Sequence, residues 1–549
     1  MGRDEWRASY RGQPPRRSAP RGASSRGGWR PMNAEVRPER TISALVARLR
    51  DRGLLHADAE EARAETTQEI TSGVQSDSRL TRPGGIFVAI RGARANGADF
   101  AADAFARGAI ATLAEPAEAK LILKALGDRA PLVITVTHAR RALAEAAAWW
   151  ERDPSEELIV IGVTGTDGKT TTATFLSTAL TAAGISAGLL STAIARVGGV
   201  QRPTPMHQTT PEAPALQAQL EESRRAGDRA VVAETTSHGL ALDRVASISY
   251  AAGVFTNFGS DHLDLHGTID AYRAAKLQLI SRITGSHASR AAGLAPLAVI
   301  RRADPALAPF VAAADAAGVR VVDFDVAEDG ALLLDGARHV VKLRMPGRIN
   351  ALNAAAALAL VAAWGLPLAP AIAAVAEEPG PPGRSERVAC GQPFSVIVDF
   401  AHNGQSLEAA IQVARSLASP DGRVLLVTGA AGERDAGRRS AIGRACTEAE
   451  RVWIADEDPR GESPDVIAAA IYAAAEANVG AAVKDQVTVL HDRKAAIRAA
   501  IGEARPGDVV LLAGKGHERT IERSGGAEEW DEVRVATEVL TSLGYPQHT

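Results

Sequence analysis

Residues 158–165 read LIVIGVTG, an apolar run that ends on glycine and passes directly into TDGKTTT. An unbroken aliphatic run of this length suits a strand buried on both faces, as in parallel sheets covered by helices. The chain must then turn from the strand end into the helical segment TTTATFLSTALTAAG. Gly165 and Gly168 permit a tight turn, and the first N–H groups of the helix are left facing outward, where phosphate oxygens bind. Lys169 adds a point charge, and the hydroxyl of Thr170 or Thr171 can hold Mg²⁺. The spacing is not the common G-x-x-x-x-G-K-[ST], because Val163 stands at the first glycine position. The strand–turn–helix context nonetheless marks residues 165–171 as a phosphate loop rather than a glycine turn beside a surface lysine.

The same rhythm extends along the chain. Residues 1–40 are rich in Arg, Gly, Pro and Ser and poor in aliphatics, so they are expected to be disordered. Such a tail fits either an RNA-binding arm or a translation start at Met32. From 41 to 154 an α/β unit is expected, with GVQSDSRLTRPGGIFVAIRG as two strands around a Pro-Gly turn. FAADAFARGAIATLAE and ARRALAEAAAWWERD read as helices around the strand PLVITVT. A second unit, 155–382, alternates strands (AVVAETT, YAAGVFTNF) with helices, the mark of a mostly parallel sheet. The Pro/Gly-rich stretch 377–386 reads as a linker. A third unit, 383–549, has four buried-looking strands: FSVIVDFAH, RVLLVTGA, RVWIAD and DVVLLAGKG.

Composition narrows the function. Lys+Arg 62 against Asp+Glu 65 leaves a net charge of −3, which argues against non-specific nucleic-acid binding. Aromatics are only 4%, so Ala, Leu and Val must fill the cores. Two cysteines, Cys390 and Cys446, cannot build a zinc ribbon or a disulfide scaffold. No apolar run reaches bilayer length and no secretory h-region is visible; the expectation is a monomeric cytoplasmic protein. Lysine occurs eight times among the 62 basic residues. Three of the eight, Lys169, Lys276 and Lys515, lie in the motifs that follow.

GVTGTDGKTTT (162–172), AETTSHG (233–239), TNFGSDHLDLHG (256–267), AAK (274–276), GRINALN (347–353), VDFAHN (398–403), GERDAGRR (432–439), DEDPRGE (456–462) and AGKGHE (513–518) occur in that order. The series resembles the Mur ligases, most closely those that extend UDP-N-acetylmuramoyl-L-alanyl-D-glutamate by a third amino acid. The resemblance implies a three-domain α/β architecture: a uridine-nucleotide domain, a central P-loop ATPase with a mostly parallel sheet, and a Rossmann-like domain for the incoming amino acid. It implies ATP contacts at Gly165, Thr166, Asp167, Gly168, Lys169, Thr170, Thr171, Asn257, Asn350, Asn353, Arg384 and Asp399. It also implies Mg²⁺ ligands at Thr170, Glu234, His262 and Lys276, the last as an N6-carboxylated lysine; arginine could not substitute, because only an amine that loses its proton reacts with carbon dioxide. Lys169, Lys276, Glu234 and His262 form the implied catalytic set.

By the same resemblance Ser78 contacts the uridine nucleotide, and Gln208, Thr209, Thr210, Ser237 and Arg244 contact the muramoyl dipeptide. Arg434, Asp458, Arg460, Gly514 and Glu518 match positions that bind meso-diaminopimelate. Here the chain departs from the family pattern, since Asp458 stands where asparagine is usual. An aspartate suits an acceptor ending in an ammonium alone, as in lysine or ornithine, whereas Arg460 beside it suits a zwitterionic end. Asp167 for asparagine, Gln208 for asparagine, Leu242 for glutamine and Ser260 for arginine are further departures. A folylpolyglutamate synthase-like ligase and a catalytically silent nucleotide-binding protein are the alternatives. The intact Lys169, Glu234, His262 and Lys276 argue for activity.

Overall fold

The computed structural model describes residues 39–57, 66–92, 95–127, 132–204, 208–434 and 437–545. The expected disordered tail lies outside them, apart from its last two residues. Among the described residues four sheets follow one another along the chain, with a small two-stranded ribbon near the C-terminal end. The first is parallel, in the order β1 (Val74–Gln75), β2 (Gly85–Ala89), β3 (Ala109–Ala114) and β4 (Leu132–Thr135). Strand β3 corrects the helix expected over 100–115. The helix there stops at Ala106, Gly108 turns the chain at φ +96, and AIATLA enters the sheet almost wholly buried. The helical pattern was carried by alanines, whose helix propensity is overridden here by burial within the sheet.

The second sheet has eight strands: β5 (Ile159–Thr164), β6 (Ala187–Leu190), β7 (Ile194–Val197), β8 (Val200–Pro203), β9 (Ala230–Glu234), β10 (Tyr250–Phe255), β11 (Leu297–Ile300) and β12 (Arg320–Val322). Their spatial order is β12-β11-β10-β5-β9-β6-β7-β8, parallel except where β7 and β8 run antiparallel at one edge. Strand β5 lies between β9 and β10, and all six of its residues are buried. The carboxyl ends of β5, β9 and β10 therefore open side by side, where α/β sheets place their ligands. The helix Arg348–Ala363, rich in Ala and Leu, packs against the phosphate-loop helix Lys169–Ala182 within one core. A small antiparallel sheet of β13 (Phe324–Val326), β14 (Leu332–Leu334) and β15 (Ala337–His339), absent from the sequence reading, lies against the same helix.

After the linker come β16 (Glu386–Val388), β17 (Ser395–Asp399), β18 (Val424–Thr428), β19 (Arg451–Ile454), β20 (Val487–Val489) and β21 (Val509–Ala513), in the order β16-β17-β21-β18-β19-β20. Only β16 is antiparallel. Among the described residues one helical stretch, Pro464–Gln486, has the length and mean hydropathy (1.6) to cross a bilayer. Its Ile467, Ala468, Ile471, Ala475 and Val483 belong to the core of this third unit.

The end of β21 is fixed by a charged pair that burial makes costly. Arg493, fully enclosed, donates from Nη2 to Glu532 Oε1 at 2.6 Å and to the Ala513 carbonyl at 2.7 Å; Trp530 Nε1 donates to Glu532 Oε2 at 2.6 Å. Removing one member leaves a buried charge without its partner, which costs about 3–5 kcal/mol. Glu532→Ala is therefore expected to destabilise the C-terminal unit by that amount in urea unfolding. A loss below about 1 kcal/mol would contradict this reading of the pair.

Candidate functional site

The turn after β5 has the shape the sequence demanded. Gly165 takes φ +154, and a Cβ there would sit 1.9 Å from Thr256 Oγ1; Gly168 takes φ +78, with Asn353 Oδ1 2.4 Å from the corresponding position. The loop is held from behind. Asn257 Oδ1 accepts from the backbone N–H of Thr166 (3.1 Å) and of Asp167 (2.9 Å), and its Nδ2 donates to the Asp167 carbonyl (3.1 Å). Asn353 Oδ1 accepts from Thr172 Oγ1 at 3.2 Å, and Asn350 Nδ2 donates to the Pro346 carbonyl at 2.8 Å. Asn257 and Asn353 thus lie against the loop and brace it, while Asn350 is spent at the start of its own helix; none of the three lines the cleft in front.

That cleft has a volume of about 500 Å³ and opens into a second chamber of about 340 Å³. Thr166, Asp167, Gly168, Lys169, Thr170 and Thr171 form one wall, and Glu234, His262 and Lys276 form the floor. Glu234 ends β9, where its Oε1 accepts from Thr192 N at 2.9 Å and its Oε2 from Thr192 Oγ1 at 3.2 Å. Lys276 is buried on the helix Ile269–Ser281 and donates to the Gly165 carbonyl at 2.7 Å. Burial, and then the neighbouring Lys169 charge, push its pKa well below the ordinary lysine value. Lys169 curls onto its own loop, donating to the carbonyls of Gly165 (3.1 Å) and Thr166 (2.7 Å).

His262 has φ +53 and stands beside Asp261, Nε2 to Oδ2 3.4 Å. Burial lowers its pKa to about 3, so the ring is neutral and its nitrogen free to act as a donor atom. Burial alone would raise Asp261, but the neighbouring positive groups, with Arg438 ion-paired to it, hold it well below the usual carboxylate range. Arg438 belongs to the helix Gly437–Cys446, so this pair joins the third unit to the second.

Could these residues hold Mg²⁺? Among the described residues no three of His, Cys, Asp and Glu converge closely enough to cage a metal. Mg²⁺ rarely needs such a cage, keeping its waters and binding one or two carboxylates together with substrate phosphates. Thr170, Glu234, His262 and Lys276 all line the cleft. Asp167 Oδ2 is buried in the loop with no hydrogen-bond partner, an acceptor that a cation would satisfy. The set fits a magnesium ion carried in with a nucleotide.

The other candidate residues fall into two groups. Gln208, Thr209, Thr210 and Arg244 line the second chamber, and Ser237 the first. Thr210 is fixed by donating to the Glu234 carbonyl at 2.9 Å, and Arg244 by Glu212 at 2.8 Å and the Thr210 carbonyl at 2.8 Å. From the third unit, Arg434, Asp458, Arg460 and Glu518 line both chambers, and Arg384 reaches the first from the linker. Its guanidinium lies 4.4 Å from the Phe400 ring.

Three residues are placed elsewhere. Asp399 spends its carboxylate on the linker, accepting from Ser385 N at 2.7 Å and Ala401 N at 2.8 Å. Gly514 packs beneath Glu457. Ser78 is buried in the first unit, hydrogen-bonded to Asp103, and is absent from the walls of both chambers. Sequence reasoning missed Thr192, which no motif marks. It also missed Arg438 as the partner of Asp261: both sit in quoted motifs, but 177 positions separate them.

Comparison with known proteins agrees with this arrangement. Residues 71–150 match the Mur ligase family catalytic domain, 163–361 the Mur ligase middle domain, and 383–516 the Mur ligase glutamate ligase domain. A UDP-N-acetylmuramyl-tripeptide synthetase from Roseiflexus sp. (strain RS-1) is 39% identical over 86% of this chain and 95% of its own length. A UDP-N-acetylmuramoyl-L-alanyl-D-glutamate--2,6-diaminopimelate ligase from Solibacter usitatus (strain Ellin6076) is 38% identical over 88% and 96%. Among solved structures, the MurF ligase from Thermotoga maritima in complex with ADP shares the fold, with a TM-score of 0.57 at 21% identity over 86% and 98%.

Asn257 supplies three of the hydrogen bonds that hold the loop. Each buried group left unpaired costs about 1–3 kcal/mol, and about 1.4 kcal/mol is tenfold in affinity. Asn257→Ala is therefore expected to weaken nucleoside triphosphate binding about tenfold or more, measured by calorimetry. Unchanged affinity would show that the loop holds its shape without it.

Proposed function

This chain belongs to the Mur ligase family, ATP-dependent ligases that form peptide bonds in peptidoglycan synthesis, and we propose that the bond it forms joins meso-2,6-diaminopimelate to UDP-N-acetylmuramoyl-L-alanyl-D-glutamate. The observation that carries this reading is the pairing of opposite charges at the far end of the cleft. Arg460, ion-paired to Glu522 at 2.6 Å, lines the cleft together with Asp458 and Glu518, so both signs of charge face a distal group bearing a carboxylate and an ammonium. The relative named as a diaminopimelate ligase supports it at 38% identity. A second reading rests on Asp458 itself: its negative charge, where asparagine is usual, favours lysine or ornithine.

The three units divide the work. The first takes the uridine nucleotide near Ser78, the second the ATP and dipeptide, and the third the acceptor. The D-glutamyl side-chain carboxylate attacks the γ-phosphorus of ATP, the bond to ADP breaks, and an acyl phosphate results. Lys169 leaves its loop carbonyls to neutralise the transferring phosphoryl group. Mg²⁺, held by Thr170, Glu234, His262 and N6-carboxylated Lys276 with the phosphates, would supply further positive charge there. Lys276 suits that modification because burial, and then the Lys169 charge, push its amine well below the ordinary lysine pKa; the amine adds to carbon dioxide and releases one proton. Thr210, Ser237 and Arg244 orient the dipeptide. Arg434, Asp458, Arg460 and Glu518 hold the acceptor so that its free amine attacks the acyl carbon. The tetrahedral intermediate then expels phosphate, and the amine proton passes to solvent. Arg384, brought by the linker, closes over the phosphates and excludes water.

The direct test offers the purified protein ATP, the dipeptide precursor and diaminopimelate, lysine or ornithine, and weighs the product. The expected result is a diaminopimelate adduct with release of ADP and phosphate. Lys169→Ala is expected to lower turnover on the order of 10²-fold or more. No ADP release with any of the three diamino acids would overturn the assignment.

A further inference from the structure

Lys515 has no part in the chemistry above, yet its side chain is fully buried directly behind the acceptor end of the cleft. It follows β21 in the turn Gly514–Lys515–Gly516. Its Nζ lies 2.8 Å from Asp458 Oδ1 and 2.5 Å from Glu518 Oε2. One ammonium thus bridges two carboxylates from segments 57 and 3 residues away in the chain. Asp458 Oδ1 also accepts from Glu522 N at 2.8 Å. The other oxygen of each carboxylate, Asp458 Oδ2 and Glu518 Oε1, takes no hydrogen bond among the described residues, and both side chains line the cleft.

Burying an ammonium is costly unless its protons are all used, so a lysine here demands a reason. The charges provide one. Asp458, Glu518 and Lys515 together carry one net negative charge. Without Lys515 two carboxylates would face each other in a poorly solvated wall, and one would move away or take up a proton. Glu518 is already raised by burial, which Lys515 only partly offsets, and burial lifts the adjacent Glu457 to about 7. The aspartate at 458 sharpens the need, because an asparagine there would leave Lys515 only one carboxylate to balance.

We propose that Lys515 is a positioning residue for the acceptor. It ties back one oxygen of Asp458 and one of Glu518, so that the two remaining oxygens converge on the distal ammonium of the incoming diamino acid. The inference rests on the ligase reading above. It makes Lys515 specific to the acceptor, with no part in binding ATP or the nucleotide dipeptide. Arginine does not replace it well, since a planar fork cannot occupy the place of a compact three-donor ammonium.

The test is steady-state kinetics on Lys515→Met, Asp458→Asn and the double variant, varying each of the three substrates in turn. Wild type is run first; if it releases no ADP with any diamino acid, the ligase reading fails and not the role of Lys515. Given an active wild type, Lys515→Met is expected to raise the acceptor KM about tenfold or more. The KM for ATP and for the dipeptide precursor should stay within about twofold. Adding Asp458→Asn to Lys515→Met should recover most of the loss by removing the second unbalanced carboxylate, a rescue that a purely structural ion pair would not confine to one substrate. An unchanged acceptor KM, or an equal rise in all three that Asp458→Asn does not relieve, overturns the proposal. Should Lys515→Met fail to fold, Lys515→Arg is measured instead: a rise in the acceptor KM alone supports the proposal, and an unchanged acceptor KM or an equal rise in all three overturns it.

Discussion

The carbonyl oxygen of Gly165 receives two lysines, Lys276 at 2.7 Å and Lys169 at 3.1 Å. Two ammonium groups that close together repel strongly where water is excluded. The conflict is settled by position. Lys169 lines the open cleft, where a phosphate can take it, whereas Lys276 is enclosed beneath the loop and gives up its proton readily. The strand–turn–helix thus also buries Lys276 beneath its turn, where burial and the neighbouring Lys169 push its pKa well below the ordinary lysine value. Much of the surrounding structure serves to keep that loop in place: Asn257 and Thr256 behind it, Asn353 at its glycine, and Tyr272, whose hydroxyl meets Thr166 Oγ1 at 3.2 Å.

The third unit completes the site rather than merely adjoining it. The Asp261–Arg438 pair ties its helix Gly437–Cys446 to the residue beside His262. The linker brings Arg384 over Phe400, whose ring also meets that of His517, and burial with the nearby Arg384 charge lowers His517 to about 3. Asp458, Glu518, the linker and Arg384 therefore meet around one turn, Gly514–His517. Order at that turn depends in part on Arg493 and Glu532, which pin the end of β21 from the side away from the cleft.

Much of this was legible in the sequence, because the residues that do chemistry come with local signatures. LIVIGVTG followed by GKTTT needs no tertiary information to predict a buried strand, a glycine turn and a helix N-terminus. The motif order carried the three-unit architecture. What was not legible depended on distance along the chain. The bonds by which Asn257 and Asn353 hold the loop, and Asp399 the linker, are a part of their setting that only the folded packing shows. The strand AIATLA passed for helix because burial within the sheet overrides the helix propensity of its alanines. Thr192 is one threonine among many until β6 places it against Glu234, and the bridge from Lys515 to Asp458 spans 57 positions that no periodicity connects.

The central claim is that enclosure beneath the phosphate loop, beside Lys169, pushes Lys276 well below the ordinary lysine pKa. Carbon-13 NMR of the intact protein equilibrated with ¹³C-labelled bicarbonate reads this directly, since only an unprotonated amine forms a carbamate. The account predicts a single protein-bound carbamate resonance that disappears in Lys276→Arg. A spectrum without that resonance, together with a Lys276 amine that titrates in the ordinary lysine range, would contradict it.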